Sequence, residues 1–314
     1  MSLLFAALLT ATTPVSVPAK PLTQPITAGA LAGTLTLPPV RPRATMLIVP
    51  GSGPTDRDGN NPMGVAARPF AKLAEALAAR GIATVRIDKR GMFGSKAAGN
   101  PNAATISLYA KDTAAWVTAT RKATGARCVW LAGHSEGGLI ALASADQPGI
   151  CGLVLIATPG RPLSTIIRAQ IAANPGNAPI AGQAYAALDA LEAGKHADVS
   201  AMHPALAKGL FSPKVQDFLI DSFRYDPAVL AKAAKVPMLI VQGDHDLQVA
   251  RTDADRLAAA QPRAKLVVVP GMNHVLKASP ADRAANMATY ADPSLPLAPG
   301  LVDAIADFVT GRGK

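Results

Sequence analysis

Gly133-His134-Ser135-Glu136-Gly137-Gly138 follows Cys128-Val129-Trp130-Leu131-Ala132 and precedes Leu139-Ile140-Ala141-Leu142-Ala143. A serine with glycine two residues away on either side, set between a strand-like and a helix-like run, reads as a nucleophile elbow. So sharp a turn forces strained backbone angles on the serine and leaves no room for neighbouring side chains, which is why both flanks need glycine. Ser135 is thereby lifted out as an exposed hydroxyl. The turn also aims the first N–H groups of the following helix, above all that of Glu136, at any oxyanion forming on a group that Ser135 attacks. The same hexapeptide could serve as an ordinary strand-to-helix turn, so the rest of the chain has to decide.

Two downstream strand-like runs each end in a residue that such a serine needs. Pro237-Met238-Leu239-Ile240-Val241-Gln242 leads into Gly243-Asp244-His245-Asp246-Leu247-Gln248-Val249. Ala264-Lys265-Leu266-Val267-Val268-Val269 leads through Pro270-Gly271-Met272-Asn273 to His274. A serine hydroxyl is a weak nucleophile near neutral pH. It needs a base within hydrogen-bond reach, and the base needs a carboxylate to fix its tautomer and stabilise the imidazolium. His274 and one aspartate of the first run supply both, with Asp244 and Asp246 open on these residues alone. Among the other histidines, His134 occupies the variable elbow position, His245 lies between the two acids, and His196 and His203 fall in a polar, alanine-rich stretch. These four read as structural or solvated.

With these motifs in that order the chain resembles the α/β-hydrolase superfamily, in particular its bacterial esterase and serine-aminopeptidase-like branch, from about Ala44 to the C-terminus. Val49-Pro50-Gly51-Ser52-Gly53-Pro54 is similar to the family's oxyanion loop, and Asp88-Lys89-Arg90-Gly91-Met92-Phe93-Gly94-Ser95 to its Asp-x-Arg-Gly-x-Gly-x-Ser turn. The resemblance implies Ser52 as the oxyanion donor paired with Glu136. Pro50 stands where the family usually has histidine, but the donor is a backbone N–H and does not require that imidazole. The family pattern Gly-x-x-Asp-x-x-Val places the acid at Asp246, with Gly243 and Val249 in register; Asp244 is then expected to be a turn residue capping the helix near Arg251 to Ala260. The implied activity is ester hydrolysis by a Ser135–His274–Asp246 triad through an acyl-enzyme, with no cofactor and no metal, on a small-molecule ester. An aminopeptidase or amidase on the same scaffold is the alternative, with Asp189, Glu192, Asp217 and Asp221 as acids that could hold a free amino terminus. A non-catalytic binding protein of this fold is a further one.

Composition agrees with one large α/β domain: 314 residues, 49% hydrophobic, suffice for a sizeable core. The net charge of +10 invites a nucleic-acid reading, yet Lys and Arg are scattered and aromatics are only 4% of residues. A solvated basic surface is the expectation, with no nucleic-acid partner. Residues 1–20 read as a secretory signal, with the short apolar run Leu3–Leu9, the small-residue site Val17-Pro18-Ala19 and no Lys or Arg before the run. This makes the expected location periplasmic or secreted, without stable membrane insertion. Cys128 and Cys151 flank strands expected to be neighbours, and both a disulfide and two buried thiols stay open.

Along the chain, Ile26 to Pro38 reads as edge strands or a hairpin, and Thr45–Val49 as the first core strand. Strand and helix then alternate, with a helix over Ala104 to Lys122. Such repeated βα units predict a mostly parallel sheet covered by helices on both faces, its site at the strands' C-terminal ends. The expected hydrolase core comprises residues 21–160 and 237–314. Residues 161–236, broken by Pro175, Pro179, Pro204 and Pro213, read as a helical cap insertion. Ile166, Ile167, Ile171, Leu188, Leu191, Leu210, Phe211, Phe218 and Phe223 are expected to pack cap against core. The polar stretch Arg57-Asp58-Gly59-Asn60-Asn61 is expected to be a turn, and a candidate flap, beside the site.

Overall fold

The apolar runs become strands whose alternate side chains feed two separate cores. A computed structural model describes residues 20–311, so the expected signal segment lies outside the described residues but for Lys20. β3 (Ala44–Val49), β4 (Ile82–Ile87), β5 (Val129–His134), β6 (Ile150–Ile156), β7 (Met238–Gly243) and β8 (Lys265–Val269) pair in parallel. β1 (Leu22–Ala28) and β2 (Leu31–Leu37) form an antiparallel hairpin at one edge, giving the order β1-β2-β4-β3-β5-β6-β7-β8. Leu47, Val49, Leu131 and Leu155 face α2 (Ile106–Thr124), α3 (Glu136–Ala143) and α9 (Arg251–Ala260). Met46, Ile48, Val154 and Leu239 face the opposite way, against α1 (Pro69–Ala79) and α11 (Leu301–Thr310). Burial on both faces is why these strands read as continuous apolar runs rather than alternating ones.

Helix boundaries follow local chemistry. The Thr105 hydroxyl accepts the Leu108 N–H at 3.1 Å to start α2, and Gly125 in the left-handed region ends it, two residues later at each end than the apolar spacing indicates. β1 begins four residues earlier than expected. It is an edge strand, exposed over Leu22 to Pro25, so no burial pattern marks it in the sequence.

Between β6 and β7 lie α4 (Leu163–Ala173), α5 (Ala178–Glu192), α6 (Pro204–Lys208), α7 (Pro213–Phe223) and α8 (Pro227–Ala233). Ile167, Ile171, Leu188, Leu191, Phe211 and Leu219 form a cluster of their own. The residues expected to seal this insertion against the sheet therefore pack mainly on one another; Phe218 touches both clusters, and Ala231 of α8 belongs to the sheet's core. Four helices can bury their stripes mutually, which a period in the sequence cannot distinguish from burial against a sheet.

Cys128 and Cys151 are joined by a disulfide with Cα atoms 5.2 Å apart. The β5–β6 register runs Val129 to Ile150 and then Trp130 to Gly152, so Cys151 is the residue that the ladder skips. The bridge therefore lies at the strands' N-terminal ends, opposite the elbow.

Candidate active site

Four connections leaving the carboxyl ends of β3, β5, β7 and β8 bring Ser52, Ser135, Asp246 and His274 to the edge where ligands bind in open α/β sheets. Ser135 has φ 54° and ψ −122°, a strained backbone for a residue with a side chain, and its N–H bonds to the Ile156 carbonyl of β6 at 2.9 Å. The flanking glycines have a steric cause. A Cβ on Gly133 would stand 2.2 Å from the Gly137 carbonyl oxygen, and one on Gly137 would stand 2.2 Å from that of Val49. Strand β5, the start of α3 and the loop after β3 thus meet through bare backbone.

The loops after β7 and β8 are fastened to each other. His245 N–H donates to the Met272 carbonyl at 3.1 Å, and Asp244 Oδ1 accepts the Gly271 N–H at 2.6 Å. Asp244 therefore ties the two loops together and does not cap α9, whose N-cap is Ala250 without a side-chain bond. The expectation that Asp244 caps that helix is corrected: the residue sits at the turn out of β7, within reach of the next loop rather than of the helix start. Asp246, its side chain 1% exposed, places Oδ2 2.8 Å from His274 Nδ1. Its Oδ1 accepts the N–H groups of Gln248 and Val249 at 2.8 and 3.0 Å. Burial raises the Asp246 carboxyl, but the His274 charge and hydrogen bond and the two N–H groups outweigh it and hold the carboxyl below its ordinary value.

His134 has a place that sequence reasoning did not give it. A carbonyl only accepts, so the 2.8 Å contact from Nε2 to the His274 carbonyl puts the proton on Nε2, and Nδ1 has no partner. Burial first, and then His274, push the His134 imidazole down to about 3, so it stays neutral. Its ring also packs on those of Phe70 and His274. Asn273 holds the other side of the loop, donating to Asn286 at 3.0 Å and Thr289 at 2.7 Å. Nothing local marks either residue: the partners of His134 and Asn273 lie 140, 13 and 16 positions away.

The Asp88–Ser95 turn is scaffolding. Asp88 takes the Arg57 N–H at 2.9 Å and its guanidinium, as well as the Gly94 N–H, while Arg86 pairs with Asp58. The stretch expected as a candidate flap is thereby pinned to β4 by two ion pairs. Lys89, the next residue, points into the site: its Nζ donates to the Gly51 carbonyl at 2.7 Å and lies 3.2 Å from Glu136 Oε1.

Ser135 opens onto two lobes. The larger, about 330 Å³, is lined by Gly51, Met63, Phe70, His274, Met287 and Tyr290. The smaller, about 110 Å³, runs under the inserted helices past Glu136, Leu139, Pro159, Leu163, Ile166 and Pro227. Ser52 and Ser135 line both. The other sequence candidates lie elsewhere: Asp189 and Glu192 pair with Arg168, His196 with Asp217, His203 accepts the Ala205 N–H, and Asp221 accepts from Ser107. Among the described residues no group of three or more His, Cys, Asp or Glu is placed to hold a metal ion, and no helix is long and apolar enough to cross a membrane.

The family model described as serine aminopeptidase, S33 matches residues 63–279. Esterase EstD of Thermotoga maritima is 27% identical over 259 residues, which make up 80% of this chain but only 59% of that protein's length. Among solved structures, Est1E from Butyrivibrio proteoclasticus with ferulic acid bound superposes with a TM-score of 0.55 at 17% identity, covering 92% of this chain and 97% of that one. The proline iminopeptidase of Mycobacterium smegmatis gives 0.52 at 17% identity, covering 81% and 92%. At such identities the two structures speak for the fold alone. The match over residues 63–279, spanning the elbow and the two loops that carry Asp246 and His274, makes this chain a member of the serine aminopeptidase S33 family, within the α/β-hydrolases.

Proposed function

We propose that the protein is a serine carboxylesterase. The observation that carries this reading is the pairing of His274 with a buried Asp246 on the wall of the same cavity onto which the strained Ser135 opens. Ser135 Oγ attacks the ester carbonyl while His274 Nε2 takes its proton; Asp246 keeps the proton of His274 on Nδ1 and stabilises the imidazolium. The carbonyl oxygen becomes an oxyanion on the N–H groups of Ser52 and Glu136. Collapse expels the alcohol, protonated by His274, and leaves an acyl-enzyme. Water deprotonated by the same imidazole then releases the acid and restores Ser135.

His274 must reach the leaving oxygen, so the alcohol belongs in the larger lobe, which His274 lines. The acyl group then occupies the smaller lobe, which His274 does not line and which α4 and α8 close as part of a cap. At about 110 Å³ that lobe is well below the roughly 300 to 1,000 Å³ of drug-sized sites and suits a short acyl chain. An aminopeptidase needs a free carboxylate for the substrate's amine. Among the described residues lining the two lobes the only acid is Glu136, already engaged by Lys89. With p-nitrophenyl esters from acetate to palmitate beside aminoacyl p-nitroanilides, the expected result is turnover of esters with an optimum at acetate to butyrate. Faster cleavage of the anilides would sink the esterase reading.

The location we propose is periplasmic or secreted. Leu3–Leu9 followed by Val17-Pro18-Ala19 supports export, and the Cys128–Cys151 bridge fits an oxidising compartment. Mass spectrometry of the protein recovered from a periplasmic extract should find an N-terminus near Lys20; an intact Met1 in the cytoplasm would contradict it.

A further inference from the structure

Lys89 is 4% exposed, and a buried ammonium is costly unless its donors are used. It has three to place. One goes to the Gly51 carbonyl at 2.7 Å, one toward Glu136 Oε1 at 3.2 Å, and Nζ lies 5.2 Å from the Tyr109 ring centroid. The Tyr109 phenol is itself held above its ordinary value, by burial first and then by Glu136 and Asp112, so the ring faces the ammonium as a neutral aromatic surface.

The two contacts fall on two particular places. The Gly51 carbonyl and the Ser52 N–H belong to one peptide unit, which is planar and trans, so they point to opposite sides of the chain. A charge holding the carbonyl on one side therefore fixes where the N–H points on the other, and polarises the unit toward stronger donation. Gly51 stands directly against the elbow: a Cβ there would come within 3.2 Å of Ser135 Cβ. The second contact is to the side chain of Glu136, whose own N–H heads α3 beside Ser135. One ammonium thus spans the loop and the helix start from which the two oxyanion donors are drawn.

We infer that Lys89 is a positioning residue for the oxyanion site, clamping the Gly51–Ser52 peptide at a fixed orientation and distance from the elbow. The inference rests on the acyl-transfer reading of Ser135. Lys89 touches no reacting atom; it acts through the peptide, so its removal weakens transition-state stabilisation and leaves ground-state binding alone.

Because removing Lys89 orphans a carboxylate, the comparison is made in the Glu136→Gln background, with and without Lys89→Met. Five quantities are read: the rate constant for labelling of Ser135 by a fluorophosphonate, which builds an oxyanion at phosphorus; the Ki of a trifluoromethyl ketone; the Ki of a carboxylate product; and kcat and KM for a p-nitrophenyl ester. Adding Lys89→Met is expected to lower kcat and the labelling rate by about 10- to 100-fold, somewhat less than deletion of an oxyanion donor. The trifluoromethyl ketone Ki should rise by the same factor, with KM and the product Ki within about threefold. If that variant does not fold, Lys89→Arg in the wild-type chain, which keeps the charge but moves the donor, should still slow labelling at least about fivefold at an unchanged melting temperature.

Labelling rate and ketone affinity within twofold of the reference, with only the melting temperature lowered, would overturn the inference and make Lys89 a structural ion. A wild-type protein that labels but hydrolyses no ester would defeat the esterase reading while the labelling comparison still decides on Lys89. One that neither labels nor hydrolyses defeats both.

Discussion

Asp246→Asn should cut turnover of a p-nitrophenyl ester by about 10⁴-fold, and Asp244→Asn should leave it within a few-fold. The asymmetry comes from where each oxygen points. Asp246 Oδ1 is fixed by the N–H groups of Gln248 and Val249, so in the asparagine variant the carbonyl stays there and the amide NH₂ faces His274 Nδ1. That NH₂ can only donate. Nδ1 must then accept, the ring proton moves to Nε2, and His274 can no longer take a proton from Ser135. Asp244 uses one oxygen to accept the Gly271 N–H, which an asparagine carbonyl does equally well. Steady-state kinetics on the two variants beside Ser135→Ala, which should fall about 10⁶-fold, provide the check. A severe loss in Asp244→Asn with Asp246→Asn near wild type would reverse the assignment of the acid.

Gly137→Ala is expected to destabilise the protein by about 3 kcal/mol or more. Helix propensity alone predicts the opposite, since alanine is better than glycine by about 1 kcal/mol in a helix interior. Sterics win because the obstacles are main chain: the new Cβ would lie 2.2 Å from the Val49 oxygen and 2.7 Å from that of Pro50, and neither can rotate away. Relieving the clash means driving α3 from β3, which would also part the Ser52 loop from the elbow. Gly182, inside α5 with nothing within 4 Å of its Cβ position, is the control. Gly182→Ala should stabilise by about 0.5–1 kcal/mol, and urea midpoints of the two variants should therefore move in opposite directions. A Gly137→Ala midpoint at or above wild type would show that the elbow can relax in a way its close contacts deny.

Much of the architecture could be read along the chain because the parallel strands are buried on both faces and so announce themselves as unbroken apolar runs, Thr45–Val49 and Pro237–Gln242 among them. The elbow was legible because its constraint is local, a backbone turn that excludes side chains at two fixed offsets. What escaped has partners far off in sequence. Lys89 lies 38 positions from Gly51 and 47 from Glu136, and no periodicity or spacing encodes either contact. Its neighbours Asp88 and Arg90 belong to a motif, and the lysine between them reads as a spacer. The two aspartates after β7 differ only in which way a tight turn aims them, and their neighbours in the chain do not specify that. The insertion's apolar residues were legible as buried but not as to what they are buried against, since helix on helix and helix on sheet ask for the same stripe.

The disulfide and Ser135 share one pair of strands, at opposite poles. At Cys151 the ladder between β5 and β6 skips a residue, so the backbone there has two ways to count its partners. A miscount by one would turn every side chain of the strand to the other face and carry the end of β6, on whose Ile156 carbonyl Ser135 rests, out of step. The sulfur bridge sits on that residue and permits one count only. It therefore acts as an index pin: joining two thiols at the foot of the sheet sets the height at which a hydroxyl is presented at its top.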